Sequence, residues 1–227
     1  MKTATTCFEE VFAQLKSLGS EHVRKLYAQH GAGDNQFGVS LGNLRGLARK
    51  MKTNHKLALE LWVTGNADAM ILATMLMAPD QLSSRDIERM VKSLTYYKLV
   101  DELVGNVIAK TPHVNDFADR WLDSPREMIG RAGWNLLIAR ILKGDADGLD
   151  FETLLKKIET KILSAPKRKQ ESMNRCLVEI GVHMPRFTRK CLDLGERLGR
   201  FDKTPVPQGC CSTYAPEWIA AALKRKK

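Results

Sequence analysis

Two tyrosines and a carboxylate offer the first chemistry in this chain. In the stretch TYYKLVDEL, residues 95–103, Asp101 follows Tyr97 by four positions. A helix therefore sets both on one face. A carboxylate there could steady a developing positive charge and orient a water. An aromatic face beside it would attract a cation. Tyr96 stands next to Tyr97, but only one of the two can share the Asp101 face, and the spacing selects Tyr97. The same residues also fit a plain helix start, with Lys98 and Asp101 paired at i+3 in a surface ion pair of little energetic weight.

Cations form the second constellation. Arg131 lies two turns into a helix beside Ala132 and Gly133, small neighbours that let a phosphate backbone come close. A surface arginine lying along its own stem fits equally well. Lys167, Arg168 and Lys169 follow Pro166 in the first turn of a helix. Cations oppose the macrodipole at that end, so an external anion would relieve the conflict and the open N–H groups would help bind it. A solvated basic turn is the plainer alternative. Arg175 lies two turns further along.

The elements that position these groups read as helices throughout. No stretch alternates apolar and polar residues over strand length between turn signals. Ser20, Ser40, Asn66, Ser83 and Asp150 stand where helices should open, and Gly31, Gly65 and Gly144 where they should close. The stretch around Tyr97 should run as a helix to about Lys110. Ser124-Pro125-Arg126-Glu127 reads as a capping box with Pro at the first helical position. Residues 201–215 are Pro- and Gly-rich and read as irregular, with a short last helix from Pro216. About eleven to thirteen helices result. Alternate starts near 83, 113, 150 and 186 give a spacing close to helical-repeat periods. The expected architecture is a single all-α domain over residues 1–227, with helix pairs stacked into a curved α-solenoid. A compact irregular bundle is the rival. Trp62, Trp121 and Trp134 sit at apolar helical positions and are expected in the core.

Composition narrows the function classes. The 227 residues carry 36 Lys/Arg against 26 Asp/Glu, a net charge of +10. Residues 161–200 alone hold ten basic and four acidic side chains. Such a balance suits a polyanionic partner, because each neutralised phosphate releases a counterion. No run approaches the roughly 18 apolar residues of a membrane helix. The opening MKTATTCFEE reaches acidic residues before any apolar signal segment could form. Five scattered cysteines suit reduced thiols in a cytoplasm. Cys210-Cys211 with His183 makes a poor metal set, since adjacent cysteines do not readily chelate one ion and no CxxC occurs. No phosphate-binding glycine loop is present. No cofactor and no metal are expected.

Several segments, in order, resemble one family. They are FGVSLGNLRGLARKMKTNHKLALELWVTGNADAMILATML (37–76), TYYKLVDEL (95–103), REMIGRAGWNLL (126–137), SAPKRKQESMNRCLVEIGVHMP (164–185) and the tail KTPVPQGCCSTYAPEWI. From about residue 20 to the end, the chain is similar to the DNA alkylation repair family, the AlkD-like HEAT-repeat alkylpurine DNA glycosylases. The resemblance implies HEAT-like repeats with double-stranded DNA held against a basic concave face, no cofactor, and a monomer. It also implies hydrolysis of the N-glycosidic bond of purines alkylated at N3 or N7. Such a base is already cationic, so the enzyme needs a carboxylate near the sugar more than it needs an acid.

By the same resemblance Asp101 takes the place of the catalytic Asp and Tyr97 that of the aromatic residue four before it. Tyr96 is that residue's aromatic neighbour, and Arg131 the groove arginine. Lys98, Lys167, Arg168, Lys169 and Arg175 would contact the DNA backbone. The chain departs from the active pattern twice, with Tyr97 and Arg175 where tryptophans are expected. Tyrosine offers a weaker π-face, and a cation at 175 would repel a cationic base. Two other functions remain open: a non-enzymatic binder of DNA structure on the same fold, and a helical scaffold for protein partners.

Overall fold

The computed structural model describes residues 7–200 and 213–226. Among these residues there are thirteen α-helices, four short 3-10 turns and no strand. They fall into two compact units, Met1–Asn115 and Asp116–Lys227. No helix among the described residues is long and apolar enough to cross a membrane. The irregular stretch expected at 201–215, apart from its last three residues, lies outside the described residues, as do Cys210 and Cys211.

The first unit contains α1 (Phe8–Ser17), α2 (Glu21–Gln29), α3 (Leu41–Met51), α4 (His55–Val63), α5 (Ala67–Leu76), α6 (Ser84–Ser93) and α7 (Tyr97–Asn106). Its helix ends are written in side chains. The Ser40 hydroxyl accepts from the Asn43 N–H, and Asn66 accepts from the N–H groups of Asp68 and Ala69. Ser83 and Asp86 cap each other reciprocally. α5 is apolar nearly all round and runs through the core, with α3 and α7 both packed against it. Its one buried carboxylate, Asp68, accepts the backbone N–H groups of Phe37, Gly38 and Val39 at 2.7, 2.9 and 3.0 Å. The loop before α3 is thereby tied to α5. Gly38 sits at φ 80°, and a Cβ there would lie 2.4 Å from the Ser20 carbonyl oxygen, so the clamp requires glycine.

The second unit follows from α8 (Val114–Leu122), which begins at the boundary, through α9 (Glu127–Lys143), α10 (Phe151–Lys161), α11 (Lys167–His183), α12 (Thr188–Leu198) and α13 (Ala215–Arg225). α11 packs on α9, α12 and α13. Trp134 is fully buried in α9, and Trp121 stacks on Phe117 with ring centroids 4.4 Å apart. α8 and α9 approach so closely that a Cβ on Gly133 would lie 2.6 Å from the Leu122 nitrogen.

The starts of α6, α8, α10 and α12 at residues 84, 114, 151 and 188 match the alternating spacing in the sequence. Within each unit alternate helices stack, α3 on α5 on α7 and α9 on α11 on α13. This is the HEAT-like arrangement, in which each helix pair covers the apolar face of the next.

Three local expectations fail for physical reasons. α7 ends at Asn106, and a 3-10 turn at Ile108–Lys110 takes the remaining residues. Trp62 is half-buried, because Leu57, Ala58 and Leu61 form the inward face of α4 and Trp62 lies on its flank. The capping box at Ser124–Glu127 does not form. α9 starts at Glu127, whose carboxylate instead accepts the Arg168 N–H at 2.7 Å. That donor belongs to the positive end of another helix, where a carboxylate gains from the dipole as well as the bond.

Candidate nucleic-acid interface

The candidate residues lie in both units, and each group is described within its own. In the first unit, Tyr97 begins α7 and Tyr96 precedes it without making a side-chain cap. Tyr96 is only 4% exposed. Its ring packs near Tyr27 of α2, with centroids 6.3 Å apart, and edge-to-face against Tyr97 at 6.0 Å. Burial, helped by the charges of nearby groups including Asp101, pushes the Tyr96 hydroxyl far above the usual phenol range. This corrects the expectation that Tyr96 contacts DNA: it is a core residue, because only alternate sides of a helix start can face solvent.

Tyr97 and Asp101 are both half-buried and lie one helical turn apart. The Tyr97 hydroxyl shares a 3.2 Å hydrogen bond with His30 Nδ1, and the two rings meet edge to face. The Lys98 ammonium lies over the face of Tyr27, 5.1 Å from its centroid. Glu102, the next carboxylate along, accepts from Asn106 at 2.9 Å and pairs with Arg45 of α3 at 3.5 Å. His30 was not legible as a partner of Tyr97, since nothing local joins positions 67 residues apart. Glu102 was not singled out by the sequence, although it lies beside Asp101.

In the second unit the basic residues separate by exposure. Lys167 and Arg175 are exposed, and Arg175 Nε pairs with Glu179 at 3.4 Å with nearly half its side chain open to solvent. Arg131 is 7% exposed. Its Nη1 donates to the Arg168 carbonyl at 2.7 Å and to Glu171 at 3.0 Å, while Arg168 itself reaches the other Glu171 oxygen at 2.6 Å. Lys169 is 9% exposed and donates to the Ser124 carbonyl at 2.8 Å. Its stem passes over Gly130, where a Cβ would lie 2.6 Å from Lys169 Cδ.

These positions correct two expectations. Arg131 and Lys169 are not open phosphate contacts, because both cations are drawn inward to bonds that tie α9 and the loop before it to α11. The basic first turn of α11 does have its anion, but that anion is internal. Glu127 caps the helix at the Arg168 N–H, and Glu171 bridges the two arginines. Glu127 was misassigned to a capping box, and no signal in the sequence marked Glu171.

Exposed cations elsewhere in this unit include Arg186, Arg189, Lys190, Arg197 and Arg200 around α12. Residues 116–227 hold 22 of the 36 basic side chains against 15 acids, a net +7, while residues 1–115 hold 14 against 11. The basic excess is therefore concentrated in the second unit. Among the described residues no cluster of three or more His, Cys, Asp or Glu side chains could hold a metal.

Known proteins resemble this chain over nearly its whole length. Uncharacterized protein Lin0241 of Listeria innocua is 24% identical over 225 residues, covering 96% of this chain and 97% of its own. Uncharacterized protein Lmo0209 of Listeria monocytogenes is 22% identical over 227 residues, covering 97% and 99%. A solved structure superposes with a TM-score of 0.85 at 27% identity, covering 97% of this chain and 95% of that one. It is described as a new family of proteins related to the HEAT-like repeat DNA glycosylases, with affinity for branched DNA structures. The sequence model of the DNA alkylation repair enzymes matches residues 11–218. That span takes in α7, Arg131 and all of α11, and the chain belongs to the DNA alkylation repair enzyme family.

Proposed function

We propose that this protein binds DNA at branched or otherwise distorted sites, holding it by the backbone rather than excising a base. The observation that carries this reading is the likeness, over 97% of the chain, to a protein with affinity for branched DNA. The exposed cations of the second unit supply the electrostatics, since phosphate contacts position a protein without reading sequence. Arg175 supports the absence of excision. It holds out a guanidinium where a cationic alkylpurine would need an aromatic face, and a guanidinium suits a phosphate instead.

One observation favours a second reading, excision of cationic N3- or N7-alkylpurines. Asp101 keeps its place one turn after an aromatic residue on α7, with a half-buried side chain. In that reading Asp101 stabilises the oxocarbenium-like sugar and orients water, with Tyr97 as the aromatic contact.

A pair of measurements decides. Fluorescence anisotropy with a four-way junction, a fork and a plain duplex, each at two salt concentrations, measures structure preference. The proposal expects tighter binding to the junction, and log K falling against log salt by about 0.9 for each phosphate neutralised. Equal affinity for junction and duplex removes the structural preference, and no affinity at all leaves a protein-interaction scaffold. Release of 3-methyladenine or 7-methylguanine from alkylated DNA, lost in Asp101→Asn, would establish the second reading instead.

A further inference from the structure

One stripe of α11 carries an ionisable side chain at every fourth position: Lys167, Glu171, Arg175, Glu179 and His183. Between residues 172 and 182 only Arg175 and Glu179 are not buried. Residues four apart are neighbours on a helix surface, so Arg175 has a carboxylate on each side. The two behave differently. The Glu171 oxygens accept from Arg131 and Arg168 at 3.0 and 2.6 Å. Arg175 turns the other way, and its Nε donates to Glu179 Oε1 at 3.4 Å.

Glu179 is itself held from behind. Its second oxygen lies 3.4 Å from His183 Nε2. His183 Nδ1 lies 3.4 Å from the Lys226 ammonium, which also donates to the Val182 carbonyl at 3.3 Å. An ammonium has only donors, so Nδ1 accepts and the ring proton sits on Nε2, facing Glu179. The Glu179 side chain is only 15% exposed. The Arg189–Asp193 pair on α12 has the same spacing without this support. Its side chains are 85% and 40% exposed, and Asp193 has no second partner among the described residues.

The outer edge of the Arg175 guanidinium stays open. Nε is the donor nearest the stem, and nearly half the side chain faces solvent. Nη1 and Nη2 have no protein partner among the described residues. Together they form the fork that matches a phosphate in a two-pronged bond. A loose arginine gives up rotamer freedom when it binds, and one already fixed at Nε has less to lose.

We propose that Glu179 is a positioning residue for DNA: it holds Arg175 by Nε, is held by His183, and so presents Nη1 and Nη2 to a backbone phosphodiester. The inference rests on the DNA-binding reading above, in which Arg175 meets a phosphate. It reverses the sign that charge alone would give. Removing a carboxylate from a face that binds a polyanion should tighten binding; removing Glu179 should weaken it.

Fluorescence anisotropy of the full chain with the four-way junction at fixed salt makes the test. Arg175→Ala should weaken binding by about tenfold, the value of one charge-assisted hydrogen bond. Glu179→Ala should weaken it by about fivefold, the share that ordering one long side chain accounts for. It should have no effect once residue 175 is alanine, whereas a general loss of fold would appear in both backgrounds. Asp193→Ala removes the same charge from the unsupported pair and should leave binding equal or tighter. The Arg175 Nε–H resonance, assigned by its loss in Arg175→Lys, should exchange with water faster in Glu179→Ala than in wild type. No junction binding by wild type removes the DNA reading and this assignment with it. Junction binding that Glu179→Ala leaves unchanged or tightens, that it weakens equally in the Arg175→Ala background, or that Asp193→Ala weakens as much, overturns the positioning role and leaves the DNA reading standing. Unchanged Nε–H exchange in Glu179→Ala overturns it as well.

Discussion

Replacing Glu171 with glutamine separates a structural arginine from a DNA-contacting one. The substitution is nearly isosteric and keeps one carbonyl acceptor, but removes the charge that Arg131 and Arg168 share at 3.0 and 2.6 Å. Hydrogen bonds to charged groups contribute about 1.5–3 kcal/mol; one arginine keeps the carbonyl in a weakened bond, while the other faces the new amide N–H₂ and loses its acceptor, a cost of about 1 kcal/mol or more for each. The Arg131 half counts nearly in full, since that side chain is only 7% exposed. The Arg168 half is partly screened by solvent, which brings the expected loss to about 1.5 kcal/mol. Urea unfolding followed by circular dichroism measures it, with Arg131→Met and the double variant completing a cycle. The structural reading expects a non-additive cycle and DNA affinity unchanged in Glu171→Gln. A cycle that adds within about 0.3 kcal/mol would show no coupling between the two residues. Tighter DNA binding by Glu171→Gln would show that a released Arg131 does reach phosphate, and the assignment made here would fail.

Asp68→Ala leaves the N–H groups of half-buried Phe37 and of buried Gly38 and Val39 without their acceptor; at about 1 kcal/mol or more for each buried one, unfolding experiments should show a loss of about 2–3 kcal/mol. Cys176 and Cys191 are buried, and burial pushes the Cys191 thiol up to about 12 and Cys176 higher still. Iodoacetamide applied to the native protein near neutral pH should therefore spare both while labelling exposed Cys7, as read by peptide mass mapping; labelling of Cys191 at the rate of Cys7 would contradict the packing of α12. Hydrogen bonds from Lys157 and Lys161 hold the Asp123 carboxyl below the ordinary carboxylate range. A depressed folded value means the stabilisation is present above that range and lost as pH falls through the depressed value. The gap in thermal midpoint between wild type and Asp123→Asn should accordingly close on acidification.

Fold class was legible because its signals are local. Helix caps such as Ser40, Asn66 and Ser83 act within three residues of themselves, and the period of alternate helix starts survives without any one contact being known. The site was legible only in part, because exposure is decided by distant chain. Tyr96 and Tyr97 are adjacent and chemically alike, yet one is buried against Tyr27 and the other bonded to His30. Lys167 and Lys169 lie two residues apart in one helical turn, yet the first is exposed and the second passes inward over Gly130. The basic turn of α11 was expected to draw an external anion, but the carboxylate that caps it is Glu127, 41 residues earlier in the chain. The capping box failed for the same reason, since a carboxylate three residues past a serine has no knowledge of the helix that will pack beside it.

The segments that carry the family resemblance divide by what they do in the fold. Phe37-Gly38-Val39 and Asp68 form one clamp, though they belong to the two ends of the longest matching segment. Gly130, Gly133 and Trp134 in the segment around α9 set how closely α8 and α11 approach. Changes at such buried or glycine-dependent positions cost stability directly. Position 175 is different. Its side chain is exposed on the flank of α11, where a substitution changes surface chemistry while leaving no cavity. The segments that carry the resemblance are therefore written mostly in residues that build the helical scaffold. A family match of this kind fixes the scaffold and leaves the reaction open, so the proposed distinction between excision and binding is tested at Tyr97, Asp101 and Arg175.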